Sequence, residues 1–297
     1  MKISGGKNKH EGGLALLPEM RRQNQNAAAG AYGTGVFSPV LSEVQIRLRD
    51  TFQGRKNHRY QNARRLDAVQ SGKPGWLRLI LFCNWFGEEF FMENCVVYIH
   101  GKGGSADEAA HYKPLFPGQE VISFDYRAQT PWEARVEFPA FFRELRAHCG
   151  SLTLVANSIG AFFSLTSLSE SLVDRTFFIS PVVDMERLIS DMMLWAGVSE
   201  PELAEKLEIP TDFGETLSWR YLCDVREHPV SWRVPTWILY GQKDSLTSPE
   251  TISAFAKKIG AALTIMPDGE HWFHTDRQMQ FLDNWMRGCM EDNKWDR

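Results

Sequence analysis

This sequence lacks an excess of basic charge, and it lacks paired cysteine motifs. Its formal net charge is −4, which argues against a nucleic acid as the main partner. Its five cysteines include no Cys-x-x-Cys pair, which argues against a structural zinc site or a redox pair. We therefore expect no nucleic-acid partner and no metal, and we interpret the cysteines as free thiols in a reducing cytoplasm.

Long apolar runs are lacking as well. The run from Trp76 to Phe86 is interrupted by Arg78 and Asn84, and it is shorter than the roughly 20 residues that cross a bilayer. The run from Leu14 to Leu17 is too short for the core of a secretory signal, and Pro18 ends it. The sequence thus predicts a cytoplasmic protein without a membrane span.

The chain changes character near residue 91. Residues 1–91 carry 14 Lys+Arg and 7 Asp+Glu, a balance of +7, whereas the remaining residues carry a balance of −11. The first part is rich in Gly, Asn and Gln and shows no sustained apolar period. We interpret residues 1–91 as a poorly ordered or non-native N-terminal extension and residues 92–297 as the folded domain.

Within the extension, the pattern allows one short helix at Val44 to Phe52 and an edge strand at Trp76 to Cys83. A second hypothesis is that Met92 is the true start of the protein. The codons of Gly87 to Glu89 are purine-rich, as a ribosome-binding sequence is, and a well-defined strand begins just after Met92.

Beyond residue 92, short apolar strands alternate with helices. Strands are predicted at Cys95 to His100, Val121 to Tyr126, Leu152 to Ala156, Thr176 to Ser180, Thr236 to Tyr240 and Ala262 to Met266, and helices at Ala106 to Tyr112, Trp132 to Cys149, Ile159 to Leu172, Pro249 to Ile259 and Asp276 to Cys289. This alternation is typical of a parallel sheet covered on both faces. The predicted fold class is α/β, a three-layer α/β/α sandwich with a mainly parallel sheet.

Several helix ends carry clear signals. Ser248 is followed by Pro249, which is typical of a capped helix start. Thr275 and Gln278 fit a capping box. Gly150 is expected to end the preceding long helix.

One segment, at about residues 183–233, interrupts the alternation. It is too apolar for a solvated loop and predicts several short helices. We interpret it as a helical cap over the site, the alternative being a pair of helices that only pack on the domain.

The stretch from Leu152 to Leu165 joins a buried strand directly to an apolar helix. Ser158 stands at the junction, where there is almost no room for a loop, so a sharp and strained turn is expected. Ala156 and Gly160 are small enough for strand and helix to approach closely. This pattern is typical of a nucleophile elbow, which presents a serine Oγ above the end of a sheet. The alternative is a serine that only caps the helix.

A serine hydroxyl becomes a good nucleophile when a base takes its proton and an acid orients that base. Asp244 lies four residues beyond a predicted strand, and His271 lies just past the last strand. Both should reach the same sheet edge as Ser158, so we predict these three as catalytic residues. Asp184 is the reserve acid, and His274 is the alternative base.

Hydrolysis also needs donors for the oxyanion. The N–H of Ile159, directly after Ser158, is the first candidate. The loop from His100 to Ser105 follows the first predicted strand, and its glycines let backbone approach a substrate; within it we predict the N–H of Lys102 as the second donor. The loop lacks the spacing of a phosphate-binding loop.

The sequence gives little support for a metal site or for a catalytic role of Asp268. His271 and His274 could both ligate a metal, but no third ligand is suggested nearby, so neither a metal nor a cofactor is predicted. Asp268 is interpreted as a turn residue.

Four motifs in chain order resemble the α/β-hydrolase superfamily, and more closely its compact, esterase-like bacterial members. They are His100–Gly101, Ala156–Gly160, Tyr240–Asp244 and Gly269–Phe273, and the resemblance covers roughly Cys95 to Met286. It implies an α/β-hydrolase fold, a Ser-His-Asp triad, an acyl-enzyme intermediate and no cofactor.

The expected function is therefore hydrolysis of a carboxylic ester of a small, partly apolar molecule. Methionine and tryptophan residues in the cap favour an apolar acyl or aryl group. The same machinery can cleave an amide, a thioester or a small peptide, because the fold does not fix the bond. A non-catalytic binding protein on this fold is the further alternative.

Overall fold

The computed structural model describes residues 91–291, and a six-stranded sheet runs through them. The strands are β1 Met92–Ile99, β2 Glu120–Ser123, β3 Cys149–Asn157, β4 Arg175–Ile179, β5 Glu208–Pro210, β6 Thr216–Ser218, β7 Thr236–Gly241 and β8 Ala262–Met266. The order across the main sheet is β2-β1-β3-β4-β7-β8, while β5 and β6 form a separate antiparallel pair. The pairs β1–β2, β3–β4, β4–β7 and β7–β8 are parallel.

Helices fill the connections between these strands. They are α1 Ala109–Tyr112, α2 Pro131–Arg146, α3 Ser158–Ser167, α4 Met185–Ala196, α5 Glu200–Lys206, α6 Trp219–Glu227, α7 Pro249–Ile259 and α8 Asp276–Glu291, with 3-10 turns at Ala106–Glu108, Lys113–Leu115 and Glu170–Leu172. Each of the six strands predicted beyond residue 92 overlaps an observed one, so the predicted α/β fold class with a mainly parallel sheet is confirmed.

The two faces of the sheet are covered by different helices. On one face, Val96, Tyr98 and Val155 pack with residues of α1 and α8 in one buried cluster. Val97 and Ile99 are buried as well and, by the two-residue period of a strand, point the opposite way. There α2 and α3 pack against each other and on β3. Because apolar strands are covered on both sides, the loops at their carboxyl ends are the part of the sheet open to a ligand.

Two predicted helix starts are confirmed, and one predicted helix end is wrong. Ser248 accepts from the N–H of Thr251 at 3.2 Å. Gln278 N–H donates to Thr275 Oγ1 at 3.3 Å, and Thr275 N–H donates back to the Gln278 side chain at 3.1 Å. Gly150 does not end α2, which stops at Arg146. It lies inside β3, because that strand begins three residues earlier than its apolar core suggested.

The inserted segment contains α4, α5, the β5–β6 hairpin and α6, so part of a region predicted as helical is strand. Its pieces are joined by charge: Arg226 on α6 binds Glu186 of α4 and Glu200 of α5, each at 2.7 Å. Arg135 of α2 pairs with Asp224 of α6, which ties the insertion to the domain. We call this segment, at about residues 183–233, the cap.

Two of the five cysteines are not free thiols, and that part of the sequence interpretation is wrong. Cys95, near the start of β1, and Cys149, at the start of β3, form a disulfide with their Cα atoms 6.3 Å apart. The strands are neighbours in the sheet although the cysteines lie 54 positions apart in sequence. Cys223 is a free thiol.

In residues 91–291, no helix is both long and apolar enough to cross a membrane. The predicted helix at Val44 to Phe52, the predicted strand at Trp76 to Cys83 and the interpretation of residues 1–91 as an extension lie outside the described residues.

Candidate active site

Ser158 stands at a tight junction between β3 and α3. Its φ is 48°, in the left-handed region that residues other than glycine rarely adopt. The strand ends at Asn157 and the helix begins at Ser158, so no loop residue separates them. A Cβ at Gly160 would lie 2.4 Å from the carbonyl oxygen of His100, so only glycine lets α3 pack this closely on the end of β1. The strained turn expected from the sequence is present.

Three side chains from three loops form a hydrogen-bonded chain at this junction. Ser158 Oγ lies 2.8 Å from His271 Nε2, and His271 Nδ1 lies 2.7 Å from Asp244 Oδ2. The side chains of His271 and Asp244 are 2% and 0% exposed, so water competes little for these bonds. The other oxygen of Asp244 accepts from the N–H groups of Leu246 at 2.8 Å and Thr247 at 3.0 Å, which fixes the carboxylate.

The loops that carry Asp244 and His271 hold each other. They follow β7 and β8, which are neighbours with Gly241 opposite Met266. Lys243 N–H donates to Gly269 O at 2.7 Å across the two loops. A Cβ at Gly241 would lie 2.3 Å from the carbonyl oxygen of Glu270, so the loops can be this close only with glycine there. The acid and the imidazole are thus positioned by backbone contacts.

The alternative acid Asp184 and the alternative base His274 make other contacts. Asp184 caps α4, where it accepts a backbone N–H three residues on at 2.9 Å, and it is exposed. His274 is exposed; its Nδ1 lies 2.8 Å from Trp272 O, and its ring stacks on the indole. Asp268 occupies a turn with φ 59°, and the neighbouring Lys243 lowers the pKa of its carboxyl. The described residues contain no group of three or more His, Cys, Asp or Glu placed to hold a metal ion.

The two predicted oxyanion donors lie on the segments that flank Ser158. Ile159 is in the first turn of α3, whose N–H groups have no acceptor within the helix. Lys102 is in the turn closed by the bond from Gly104 N–H to Gly101 O at 3.2 Å. A Cβ at Gly101 would lie 3.2 Å from the Cβ of Ser158, which shows how closely this loop approaches the serine.

No protein-family model matches the chain, and no curated protein matches it. Solved structures do. Est1E from Butyrivibrio proteoclasticus is 14% identical with a TM-score of 0.57, over 68% of this chain and 88% of that one. A structure of Est1E with ferulic acid bound gives 14% identity and a TM-score of 0.52, over 68% and 89%. XC6422 from Xanthomonas campestris, an α/β serine hydrolase without a lid, gives 16% and 0.45, over 68% and 82%.

The chain has the α/β-hydrolase fold. The expectation drawn from the four motifs is confirmed at the level of the fold. At these identities, the likeness shows the fold alone.

A cavity of about 390 Å³ opens beside Ser158 and His271 in this α/β-hydrolase fold. Part of its lining is apolar: Ile179 at the end of β4, and Met279 and Leu282 on α8. Cavities of this size hold small organic molecules. The cavity beside the serine is therefore large enough for a small organic molecule.

Another part of the lining is polar. Lys102, Glu108, His111 and His274 line the cavity together with Tyr98. The ammonium of Lys102 extends to Glu215 in the β5–β6 hairpin, with an N–O distance of 2.5 Å, so the cap reaches the rim of the cavity through this ion pair.

The sequence analysis took the cap as the reason to expect an apolar substrate group, whereas the apolar lining of this cavity comes from other elements. Within the described chain, the lining of this cavity comes from outside residues 182–233, and α8 supplies what the cap was expected to supply. Met279 and Leu282 lie one helical turn apart and follow directly on the loop of His271. That adjacency is the signal that could have identified them.

Proposed function

We propose that this protein is a serine hydrolase that cleaves a carboxylic ester of a small, partly apolar molecule. The observation that carries the proposal is the continuous chain from Ser158 Oγ through the imidazole of His271 to Asp244, with contacts of 2.8 and 2.7 Å. A serine that only capped a helix would need neither the imidazole nor the strained φ of 48°.

The proposed mechanism begins with attack of Ser158 Oγ on the ester carbonyl. His271 Nε2 accepts the hydroxyl proton and then delivers it to the leaving alcohol, which gives an acyl-enzyme. Water repeats these steps and releases the acid. Asp244 holds Nδ1 of the imidazole protonated and stabilises its charged form, and the low exposure of both groups strengthens this interaction.

The N–H groups of Ile159 and Lys102 are the proposed oxyanion donors. One opens α3, where the helix dipole also favours negative charge, and the other lies in the turn that approaches Ser158. Loss of one such donor typically costs roughly 10²–10³ in kcat.

The cavity favours an acyl group of moderate size. Its volume of about 390 Å³ and its mixture of apolar and polar walls suit a short aliphatic or a single-ring acid. Ferulic acid is bound in one structure of the same fold, Est1E, so hydroxycinnamoyl esters belong in the substrate panel beside aliphatic ones. An amide, thioester or peptide substrate is the second candidate, since the same proton path serves each.

The test compares Ser158→Ala with Ser190→Ala, an exposed serine on α4. Wild type and Ser190→Ala should hydrolyse p-nitrophenyl esters and be labelled by a fluorophosphonate probe, which needs an activated serine. Ser158→Ala should lose both while keeping its circular dichroism and melting temperature. Retained turnover in Ser158→Ala would overturn the assignment, and a folded wild type without labelling or turnover would favour the non-catalytic alternative.

A further inference from the structure

A tyrosine hydroxyl connects the two segments that carry the proposed oxyanion donors. Tyr98, on β1, is fully buried. Its hydroxyl donates to Glu108 Oε2, and Asn157 Nδ2 donates to that hydroxyl at 2.9 Å. We propose that Tyr98, Glu108 and Asn157 are positioning residues that set the spacing between the donors at Lys102 and Ile159. This inference rests on the proposed hydrolase function.

On one side of the chain, Glu108 fixes the loop that contains Lys102. Its Oε1 accepts from Ser105 N–H at 3.2 Å, and its own N–H donates to Ser105 O at 3.2 Å. The carboxylate lies over Gly104, where a Cβ would come within 2.8 Å of Oε1. One side chain therefore holds the far end of the loop by contacts to two of its residues.

On the other side, Asn157 belongs to the elbow. It occupies the cap position of α3, but its side chain makes no capping bond to the helix. Its amide is directed at Tyr98 instead. Since Ser158 is held at φ 48°, a conformation that persists only when its surroundings enforce it, a bond to the residue before it helps to maintain the turn.

Chemistry fixes the direction of these bonds. Burial is the main cause that raises the pKa of Tyr98 well above its usual value, so its hydroxyl is protonated at neutral pH. A carboxylate only accepts, so the hydroxyl proton points to Glu108 and a lone pair receives the amide of Asn157. Hydrogen bonds to a charged group are stronger than those between neutral groups.

The spacing matters because an oxyanion hole acts over short distances. Donors must lie about 2.7–3.1 Å from the oxygen that becomes charged. If the loop and the elbow move apart, the tetrahedral intermediate loses these bonds, whereas a neutral ester in the cavity loses little. Breaking the chain should therefore lower kcat with little change in KM.

The experiment uses Tyr98→Phe, which removes both hydrogen bonds and keeps the ring. Kinetics are measured with a p-nitrophenyl ester and expressed per active site titrated with the fluorophosphonate probe. We expect kcat to fall roughly 10–100-fold and KM to stay within about threefold of wild type. The matched control is Tyr221→Phe on α6, whose buried hydroxyl has no hydrogen-bond partner among the described residues.

Two further variants separate positioning from folding. Asn157 is only partly buried, so we expect Asn157→Ala to fold even if Tyr98→Phe does not. This variant breaks the same hydrogen-bonded chain and should show the same fall in kcat. If the groups act as one unit, the double variant should fall no further than Tyr98→Phe alone.

The outcomes are distinct. If wild type is active and labelled, but kcat per titrated site in Tyr98→Phe and Asn157→Ala lies within about twofold of the Tyr221→Phe control, the positioning role is overturned and the proposed function stands. If wild type is neither active nor labelled, both are overturned. A loss confined to KM would also overturn the positioning role.

Discussion

Ser158 is one of four non-glycine residues with positive φ in residues 91–291, together with Ser180, Leu207 and Asp268. Three of these four lie where β3, β4 and β8 reach the carboxyl edge of the sheet. Strain of this kind costs roughly 1–3 kcal/mol per residue and tends to gather at functional sites. The strained residues are therefore concentrated at the sheet edge that also carries the hydrogen-bonded chain of Ser158, His271 and Asp244.

At the same scale, the role of Asp244 can be tested by Asp244→Asn. The amide would present an N–H to His271 Nδ1, so the imidazole would carry its proton on Nε2 and could not accept one from Ser158. We expect kcat for ester hydrolysis to fall about 10⁴-fold. Steady-state kinetics measure this effect.

Asp184→Asn is the matched control for that change. Asp184 caps α4, and asparagine caps a helix about as well as aspartate. Its kcat should stay near the wild-type value. Equal losses in the two variants would contradict the assignment of Asp244, and a large loss in Asp184→Asn alone would favour it as the acid.

At the scale of elements, α8 combines two tasks. Its inner face packs Leu282 and Met286 into the core, and the same helix lines the cavity with Met279 and Leu282. Its start is fixed by the bonds between Thr275 and Gln278, which follow the loop of His271. The wall of the cavity is therefore set by a helix that the core holds in place.

Met279→Trp should narrow the cavity from this wall. We expect kcat/KM for long or aromatic acyl esters to fall at least about tenfold, while acetyl esters stay near wild type, since one or two methylenes are worth about 1–3 kcal/mol in such pockets. A series of p-nitrophenyl esters of rising chain length measures the shift. The control is Leu194→Trp, at a position on the cap that is 76% exposed. If Leu194→Trp changed the chain-length preference and Met279→Trp did not, the cap rather than α8 would determine the specificity.

At the scale of the whole molecule, the disulfide joins the two strands that lead to the site. β1 runs from Cys95 toward the Lys102 loop, and β3 runs from Cys149 to Ser158. Disulfides persist in oxidising compartments and are kept reduced in the cytoplasm. The cysteine pattern predicted a cytoplasmic location. A cytoplasmic location requires Cys95 and Cys149 to be reduced thiols in the cell, so the oxidation state of these two cysteines tests the prediction.

Removing the disulfide should lower stability without removing the site. A link that closes a loop of 54 positions stabilises by up to about 4 kcal/mol in the chain-entropy estimate. We expect Cys95→Ser/Cys149→Ser to unfold at lower denaturant concentration than oxidised wild type, with Cys223→Ser unchanged. Denaturant titration measures the midpoint of unfolding. Alkylation followed by mass measurement shows whether the two cysteines are oxidised. Equal midpoints for the oxidised wild type and the double variant would contradict a stabilising link.

Much of the fold was predictable because its signals are local. Apolar runs, caps and small residues act on neighbours within a few positions, and the strands and the starts of α7 and α8 follow from them. Gly150 shows the limit: the same residue suits a helix end or a strand, and the pairing of β3 with its neighbours decided between them. The β5–β6 hairpin inside the cap was missed because each of its strands has only three residues, too few to show a period of two.

By itself, the sequence determined the α/β class, the sharp turn at Ser158 and the set of acids and imidazoles that follow strand ends. Tertiary structure alone decided that His271 rather than His274 faces Ser158, that Cys95 meets Cys149, and that α8 rather than the cap lines the cavity. The reason is physical. Contacts between residues many tens of positions apart depend on strand order and loop register, which no local pattern encodes.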